Sequence, residues 1–271
     1  MSENSDSRIL VLIPVFNATR QISKVVIAVS ESIAEMVDGL LILDNMSVDS
    51  TLISARSAID ACAIKHRYLF QNYENRGLGG SLKIGFQFAI EQNYTHVLVV
   101  HGDNQAKPSD FLKVLTDVSK LKTSKVYGSR FMDGSVLNGY SRIRQVGNKF
   151  LNVICSQLMG RRILDLGSGL NLYRTEYLNQ DFIYGCKDDL TFNNEILLSE
   201  PKPVMTECYV PISWTEFDQR SNAKVVRQGM RTLYLAFNYG LLKKKRKISK
   251  DGRLHYKSSS YRIVYSSEEN Q

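Results

Sequence analysis

A carboxylate and an amide follow the most strand-like segment of this 271-residue chain. Residues 97–100 form a short apolar run typical of a buried strand, and Asp103 and Gln105 come shortly after it. In open α/β folds, ligands bind at the carboxyl ends of the strands. A hard divalent cation accepts oxygen ligands of both kinds and can bridge them to a diphosphate. The pattern points to chemistry on nucleotide sugars.

Two further turns could bind the nucleoside part of such a donor. Asp44 ends the second strand-like run, where a carboxylate can accept the imino hydrogen of a nucleobase or bind a ribose hydroxyl. Ser47 follows in the same turn, and Asp49 is expected to cap the next helix. Pro14 and Asn17 end the first run at the same edge and are predicted to complete the base pocket.

A glycine-rich turn, residues 75–81, opens the third helix-like stretch. Its glycines, among them Gly79 after Asn75, would let backbone amides approach a phosphate at the helix N-terminus. The turn matches neither the P-loop nor the dinucleotide-binding pattern, so a plain tight turn is the alternative.

The elements that must position these residues alternate between strand and helix, which predicts βαβ units and a mostly parallel sheet. Strands are predicted at Ile9–Ile13, Leu40–Leu43, Tyr68–Phe70 and Val97–Val100, and helices at Ile22–Ala34, Thr51–Ala63 and Leu82–Glu91. The second half predicts helices at Phe111–Leu121 and Arg144–Leu158, a strand at Lys125–Tyr127, and a returning strand within Pro201–Trp214. Because no repeat or linker interrupts the chain, a single domain is expected.

Composition is typical of a globular protein, with 43% hydrophobic residues. The N-terminus shows no secretory signal pattern, and the most membrane-like stretch, residues 225–242, contains Arg227 and Arg231. Four scattered cysteines with no CxxC pair suit reduced thiols that pack in a core: Cys62, Cys155, Cys186 and Cys208. A cytoplasmic protein without a membrane-spanning helix is expected.

The net charge of +8 is concentrated in the run Lys243–Lys247. This run follows an apolar helical pattern in residues 226–241, which predicts a basic amphipathic helix that binds an anionic membrane surface. A nucleic-acid partner is not expected, because no aromatic and basic interleaving accompanies the run.

Several motifs in a fixed order indicate a family more strongly than any one of them. They are PVFN, LDNMSVDST, NRGLGGSLKIGF, VVHGDNQAKP, GSRF, RQVGN, DLGSGLNLYR, FNNEIL, VPISW and RSNAK, which together span roughly Arg8 to Lys224. In this order they resemble the motifs of family 2 glycosyltransferases, especially the dolichyl-phosphate mannosyltransferase and polyprenyl-phosphate sugar transferase branch. The resemblance implies a GT-A fold, with a single Rossmann-like nucleotide-binding domain and a mostly parallel central sheet flanked by helices.

The resemblance also implies domain limits. They are a mobile N-terminus at 1–7, a GT-A domain at 8–224, an amphipathic basic helix at 225–247, and a polar tail at 248–271 that is mobile or loosely docked. Residues 8–107 would bind the nucleotide sugar and residues 108–224 the acceptor.

By the same resemblance, a Mg²⁺ or Mn²⁺ ion would bind Asp103 and Gln105 and hold the diphosphate, with His101 as a third candidate ligand. Two positions depart from the family pattern. Ala18 replaces the usual acidic residue after Asn17, and His101 replaces the first acid of the DxD motif. A histidine ligand suits softer metals better than Mg²⁺, so the identity of the metal stays open. The sequence is equally compatible with a His101 that does not bind the metal.

Two acceptors are compatible with the second half of the chain. A sugar hydroxyl requires a base, for which Asp188, Asp189 and Glu195 are candidates, with Asp189 at a loop-to-helix junction. Asp188 and Asp189 could instead cap a helix, and Glu195 could form a salt bridge on its face. A lipid phosphate is already ionised near neutral pH and needs cations to position it. The candidate residues for that phosphate are Arg130, Arg144, Ser168, Arg220 and Lys224, with Arg144 also placed in the catalytic set.

The main expectation is an inverting, metal-dependent transfer of one sugar from a UDP- or GDP-sugar to a polyprenyl phosphate at the inner face of the membrane. One alternative transfers the sugar to a saccharide hydroxyl in a cell-surface glycan. The other is a degenerate protein that binds nucleotide sugars without turnover, as Ala18 and His101 would allow.

Overall fold

The computed structural model describes residues 7–121, 123–200, 208–216, 225–243, 256 and 258–268. The first half alternates strands and helices in the predicted βαβ order, with some bounds shifted. Its elements are β1 (Ile9–Val15), α1 (Ile22–Ile33), β2 (Gly39–Asp44), α2 (Thr51–Asp60), β3 (His66–Asn72), α3 (Gly77–Glu91) and β4 (His96–Val100).

The second half is less regular and carries shorter elements. They are α4 (Leu112–Thr116), β5 (Lys125–Ser129), β6 (Val136–Asn138), α5 (Arg142–Met159), β7 (Leu170–Arg174), α6 (Thr175–Leu178), α7 (Asp181–Tyr184), α8 (Phe192–Ser199), β8 (Cys208–Pro211), β9 (Ser213–Thr215), α9 (Val225–Ala236) and β10 (Tyr261–Ser266). A π-helical turn, Phe237–Leu241, continues α9.

The prediction of one helix at Phe111–Leu121 is wrong. Only α4 is α-helical there, and 3₁₀ turns flank it at Pro108–Phe111 and Val118–Lys120. The hydroxyl of Thr116 donates to the carbonyl of Leu112 at 2.9 Å, which competes with continued helical hydrogen bonding.

Eight strands form one sheet in the order β10-β3-β2-β1-β4-β7-β5-β8, and β6 pairs with β9 in a separate small ribbon. Strands β3, β2, β1 and β4 are parallel, whereas β7 and β10 run antiparallel to their neighbours. Strands β1, β2 and β4 are buried along their whole length, as expected where helices cover both faces. The predicted α/β class with a mainly parallel sheet is confirmed.

The C-terminal residues correct the expectation of a mobile or loosely docked tail. Strand β10 pairs with β3 and closes one edge of the sheet, and Tyr261 stacks on Phe70 with ring centroids 4.4 Å apart. The segment is rich in β-branched and aromatic residues, which favour a strand, and its pairing satisfies the otherwise free edge of β3. Residues 248–255 and 269–271 lie outside the described part of the chain.

The four cysteines are free thiols, and three of them are buried, as predicted for packing residues. In the described ranges, we find no helix with both the length and the apolar character needed to cross a membrane.

Candidate functional site

Asp44 and Asp103 lie on either side of the carboxyl end of β1. Strands β2 and β4 both pair with β1, and Val15 of β1 is in register with Asp44. The Gly102 N–H, one residue before Asp103, donates to the Pro14 carbonyl at 3.2 Å. The fold therefore brings Pro14, Asp44 and Asp103 to one edge of the sheet, as the sequence predicts.

The carboxylate of Asp44 is fully buried and only half satisfied. Its Oδ2 accepts the Ser47 N–H at 3.1 Å and the Gln71 Nε2 at 2.8 Å. Its Oδ1 is buried and has no hydrogen-bond partner among the described residues. Because most buried polar atoms in proteins are paired, this oxygen is available to a donor on a ligand.

Two loops of the predicted base pocket hold each other in place. Asn17 has a left-handed backbone (φ 49°), and its N–H donates to the Ser47 Oγ at 2.9 Å. The Asn17 Oδ1 in turn accepts the Val48 N–H at 3.0 Å. The Ala18 N–H donates to the Thr51 Oγ1 at 2.7 Å, so Ala18 contributes a backbone contact where the family pattern has an acidic side chain. Asn17 and Ser47 are thus brought together beside Asp44.

The glycine-rich turn packs against protein backbone. The Gly79 N–H donates to the Asp188 carbonyl at 2.7 Å, and a Cβ at Gly79 would lie 2.5 Å from the Lys187 carbonyl oxygen. The Asn75 Oδ1 accepts both the Asn45 Nδ2 and the Gly77 N–H at 2.9 Å. The amide of Gly79 is therefore engaged here, and the predicted phosphate contact of Gly79 has no support in this geometry.

The three candidate metal ligands lie in the loop after β4. The Gln105 N–H donates to the Asp103 Oδ1 at 3.2 Å, which closes a turn around the carboxylate. The His101 ring lies against Gly169, where a Cβ would stand 2.5 Å from Nδ1, and its buried Nε2 has no partner in the described structure. Burial lowers the pKa of the His101 ring. The negative charge of Asp103 acts in the other direction but is the weaker effect, so the ring is neutral near pH 7.

This donor set fits a metal shared with a diphosphate and does not fit a metal held by protein alone. Among the described residues, no group of three or more His, Cys, Asp or Glu side chains could enclose an ion. One carboxylate, one neutral imidazole and one amide leave positions for phosphate oxygens, as Mg²⁺ and Mn²⁺ sites commonly do.

A cavity of about 170 Å³ opens between α5, α9 and the loop of residues 165–167. Arg130 lines it but forms a two-pronged ion pair with Asp165, Nε to Oδ2 at 2.8 Å and Nη2 to Oδ1 at 2.7 Å. Asp165 also accepts the N–H groups of Arg130 and Gly167 and so holds the loop. The charge of Arg130 is neutralised by this pair, which weakens its predicted role with an acceptor phosphate.

Arg144 also lines the cavity and pairs with Glu216, Nη1 to Oε1 at 2.5 Å and to Oε2 at 2.8 Å. Its buried Nε has no partner among the residues that the structure describes. Arg144 therefore keeps one donor for a ligand oxygen, unlike Arg130, for which the pair with Asp165 accounts for Nε.

The remaining acceptor candidates divide into one buried residue and two outside the described ranges. The Ser168 hydroxyl is buried and bonds within its own loop, to the Leu170 carbonyl at 3.4 Å and the Asn171 Oδ1 at 3.3 Å. Arg220 and Lys224 lie outside the described residues, as do positions 244–247 of the basic run.

Asp189 stands at the start of α8 and behaves as a turn-capping carboxylate. Its Oδ1 accepts both the N–H and the hydroxyl of Thr191, at 2.8 and 2.5 Å. Burial raises the pKa of Asp189, but the Thr191 hydrogen bonds and the charges of Arg231 and Lys187 outweigh it, so the pKa is lowered overall. A lowered pKa makes Asp189 a poor general base.

Comparisons with known proteins identify the family. The family model described as "Glycosyl transferase family 2" matches residues 10–182, well over half of the chain.

The chain belongs to glycosyltransferase family 2.

This glycosyltransferase is 25% identical over 177 residues to the polyprenol monophosphomannose synthase of Mycolicibacterium smegmatis. The aligned region covers 64% of each chain. It is also 25% identical over 185 residues to the UDP-N-acetylglucosamine–dolichyl-phosphate N-acetylglucosaminyltransferase of Methanococcus voltae, covering 62% of this chain and 70% of that one.

A solved structure of glucosyl-3-phosphoglycerate synthase from Mycobacterium tuberculosis, with Mn²⁺ and UDP-glucose, superimposes with a TM-score of 0.62. The sequence identity is 15%, and the match covers 87% of this chain and 79% of that one, which confirms the predicted GT-A fold.

Sequence reasoning missed three residues that shape the site of the glycosyltransferase. Gln71 bonds Asp44, Arg262 bonds Gln71, and Glu216 bonds Arg144. The polar Gln71, which directly follows the apolar residues Tyr68–Phe70 in β3, was a usable signal. Arg262 and Glu216 gave none, because their partners are 191 and 72 residues away.

Proposed function

We propose that this glycosyltransferase moves one sugar from a UDP- or GDP-sugar to a polyprenyl phosphate, with inversion at the anomeric carbon and with a bound Mg²⁺ or Mn²⁺. The observation that carries the proposal is the placement of Asp44 and Asp103 on the two sides of the β1 carboxyl end. In the proposed reaction, Asp44 binds the base and Asp103 holds the metal against the diphosphate. The named activities of the polyprenol and dolichyl-phosphate relatives support a lipid phosphate as acceptor.

In the proposed reaction, an oxygen of the acceptor phosphate forms a bond to the anomeric carbon. The bond from that carbon to the β-phosphate oxygen breaks, and the nucleoside diphosphate leaves with the electron pair. Asp103, with His101 and Gln105, would hold the divalent ion, which supplies charge stabilisation for the departing diphosphate. Arg144, which lines the cavity, would orient the acceptor phosphate.

The alternative acceptor, a saccharide hydroxyl, has weaker support. It needs a base, and the lowered pKa of Asp189 and its bonds to Thr191 suit a structural carboxylate better. A phosphate monoester is already largely ionised at neutral pH and does not need that base.

The face formed by α5 and α9 supports a membrane location for this reaction. The two helices pack against each other beside the cavity, and by sequence neither contains an acidic residue. Large apolar side chains stand exposed on both: Ile143, Val146, Phe150 and Val153 on α5, and Met230 and Tyr234 on α9, with Phe237 and Leu241 on its π-helical turn. The basic residues among them, Arg142, Lys149, Arg227 and Arg231, are exposed as well. Apolar and cationic groups together suit an anionic bilayer surface, with the acceptor phosphate in the cavity beneath.

Incubation of the protein with polyprenyl phosphate and a panel of labelled UDP-, GDP- and CDP-sugars would test the proposal. We expect label in a mild-acid-labile lipid, formed with Mn²⁺ or Mg²⁺ and abolished by a chelator. Asp103→Asn is the matched inactive control, since it keeps the side-chain shape and removes one ligand charge. Label found only in a saccharide or in a soluble product would refute the lipid acceptor.

A further inference from the structure

We propose that Arg262, on the C-terminal strand β10, is a positioning residue for the nucleobase. Arg262 holds Gln71, and Gln71 holds Asp44 so that one carboxylate oxygen stays open to the imino hydrogen of the base. This inference rests on the proposed nucleotide-sugar donor and concerns how its base is selected.

The hydrogen bonds run in one direction through this chain of side chains. Arg262 donates to the Gln71 Oε1 twice, from Nε at 2.9 Å and from Nη2 at 2.5 Å. A guanidinium has donors only, so it binds the oxygen of the Gln71 amide and excludes the flipped orientation. The amide nitrogen is then left to donate to the Asp44 Oδ2, at 2.8 Å.

The consequence for Asp44 is an asymmetric carboxylate. Gln71 and the Ser47 N–H both donate to Oδ2, whereas Oδ1 is buried without a partner among the described residues. Uracil and guanine carry an imino N–H that can donate to Oδ1. Cytosine and adenine present a lone pair at the equivalent ring nitrogen and would leave Asp44 Oδ1 unpaired. An unpaired buried acceptor makes the binding free energy of those bases less favourable.

The backbone of β10 does not depend on the Arg262 side chain. Arg262 is in antiparallel register with Gln71, and the strand is also anchored by Tyr261 stacked on Phe70. Glu268, just beyond the strand, accepts a hydrogen bond from the Tyr68 hydroxyl at 2.5 Å. Substitutions at Arg262 should therefore leave the fold intact.

The test measures the affinity of the full-length protein for UDP, GDP and CDP with Mn²⁺ by calorimetry. Arg262→Met keeps the aliphatic stem and removes the donors, Arg262→Lys restores one donor, and Ile263→Thr is the control at an exposed position of the same strand. We expect wild type to prefer UDP or GDP over CDP. Arg262→Met should reduce that preference about fivefold, with unchanged CDP affinity, as expected for one lost hydrogen-bonded contact. Arg262→Lys should recover part of it, and Ile263→Thr should match wild type.

Two results would overturn the inference and leave the proposed function standing: an unchanged preference in Arg262→Met, or an equal loss for all three nucleotides together with a lower melting temperature. A wild type that binds CDP as tightly as the others would also refute base selection by Asp44. Failure of wild type to bind any nucleoside diphosphate would overturn the proposed function, and this inference with it.

Discussion

Replacing Asp189 with Asn separates the two candidate acceptors. Asn keeps the Oδ1 acceptor for the Thr191 N–H and hydroxyl and removes only the charge. Arg231 is 3.6 Å away, but both side chains are about half exposed, so the lost attraction costs less than about 1 kcal/mol of stability. If Asp189 only caps its turn, kcat should change by less than about threefold. Loss of a general base would instead lower the rate roughly 10²- to 10⁴-fold.

The assay is transfer of labelled sugar to polyprenyl phosphate, with kcat and KM measured for wild type and Asp189→Asn. Thermal denaturation of both proteins serves as the folding control, and Thr191→Val perturbs the same turn by removing the hydroxyl that donates to Asp189 while the carboxylate itself is retained. A drop in kcat of a hundredfold or more, at an unchanged melting temperature, would refute the structural reading of Asp189 and restore the hydroxyl acceptor.

Four further outcomes are expected. Asp103→Asn should lower kcat at least about a hundredfold across a range of Mn²⁺ concentrations, because the charged ligand beside the diphosphate is lost. Glu216→Gln should lower the KM for polyprenyl phosphate about threefold in steady-state kinetics, since the amide keeps one oxygen for Arg144 but removes the negative charge that competes with the phosphate. Burial and the neighbouring Arg174 lower the pKa of His96 from 6.5 to about 4, so the unfolded state binds an extra proton between those values. The free energy of unfolding should therefore fall by up to about 3 kcal/mol as the pH drops through that window. Urea titrations should show a smaller fall for His96→Gln than for wild type. The double variant Phe150→Ser, Met230→Ser should co-sediment less with anionic vesicles, while its activity in a detergent transfer assay stays unchanged. Vesicle binding equal to that of wild type would contradict a membrane-binding role for the face formed by α5 and α9.

The nucleotide half of the site was predictable because its residues follow consecutive parallel strands. Asp44 and Asp103 each come after a run of apolar residues, and the right-handed βαβ connection places such strand ends at one edge. The parallel direction of these strands therefore brings both carboxylates to the same end of the sheet, although they lie 59 positions apart in the sequence.

The acceptor half was not predictable in the same way, because long-range ion pairs decide the role of its cations. Arg130 and Arg144 resemble phosphate-binding residues in the sequence. The fold pairs Arg130 with Asp165 and Arg144 with Glu216. Whether an arginine faces a carboxylate or a ligand depends on the packing of irregular loops, for which the sequence offers no periodic pattern. The same reason hid the role of β10, whose partner strand lies nearly 200 residues earlier.

Buried polar atoms without partners give an independent line of argument for the site. Tyr94 Oη and His96 Nε2 are such atoms at the opposite end of the sheet, so an orphaned atom alone does not mark a ligand. Asp44 Oδ1, His101 Nε2 and Arg144 Nε differ because the proposed reaction assigns each of these residues a ligand of matching chemistry. An anionic oxygen suits an imino hydrogen, an imidazole nitrogen suits a metal, and a guanidinium N–H suits a phosphate. The Nε atoms of Arg67 and Arg174 are also unpaired in the described structure and lie at the opposite end of the sheet, so the argument for the three atoms rests on where they lie in the fold and on their chemistry, and not on their being unpaired.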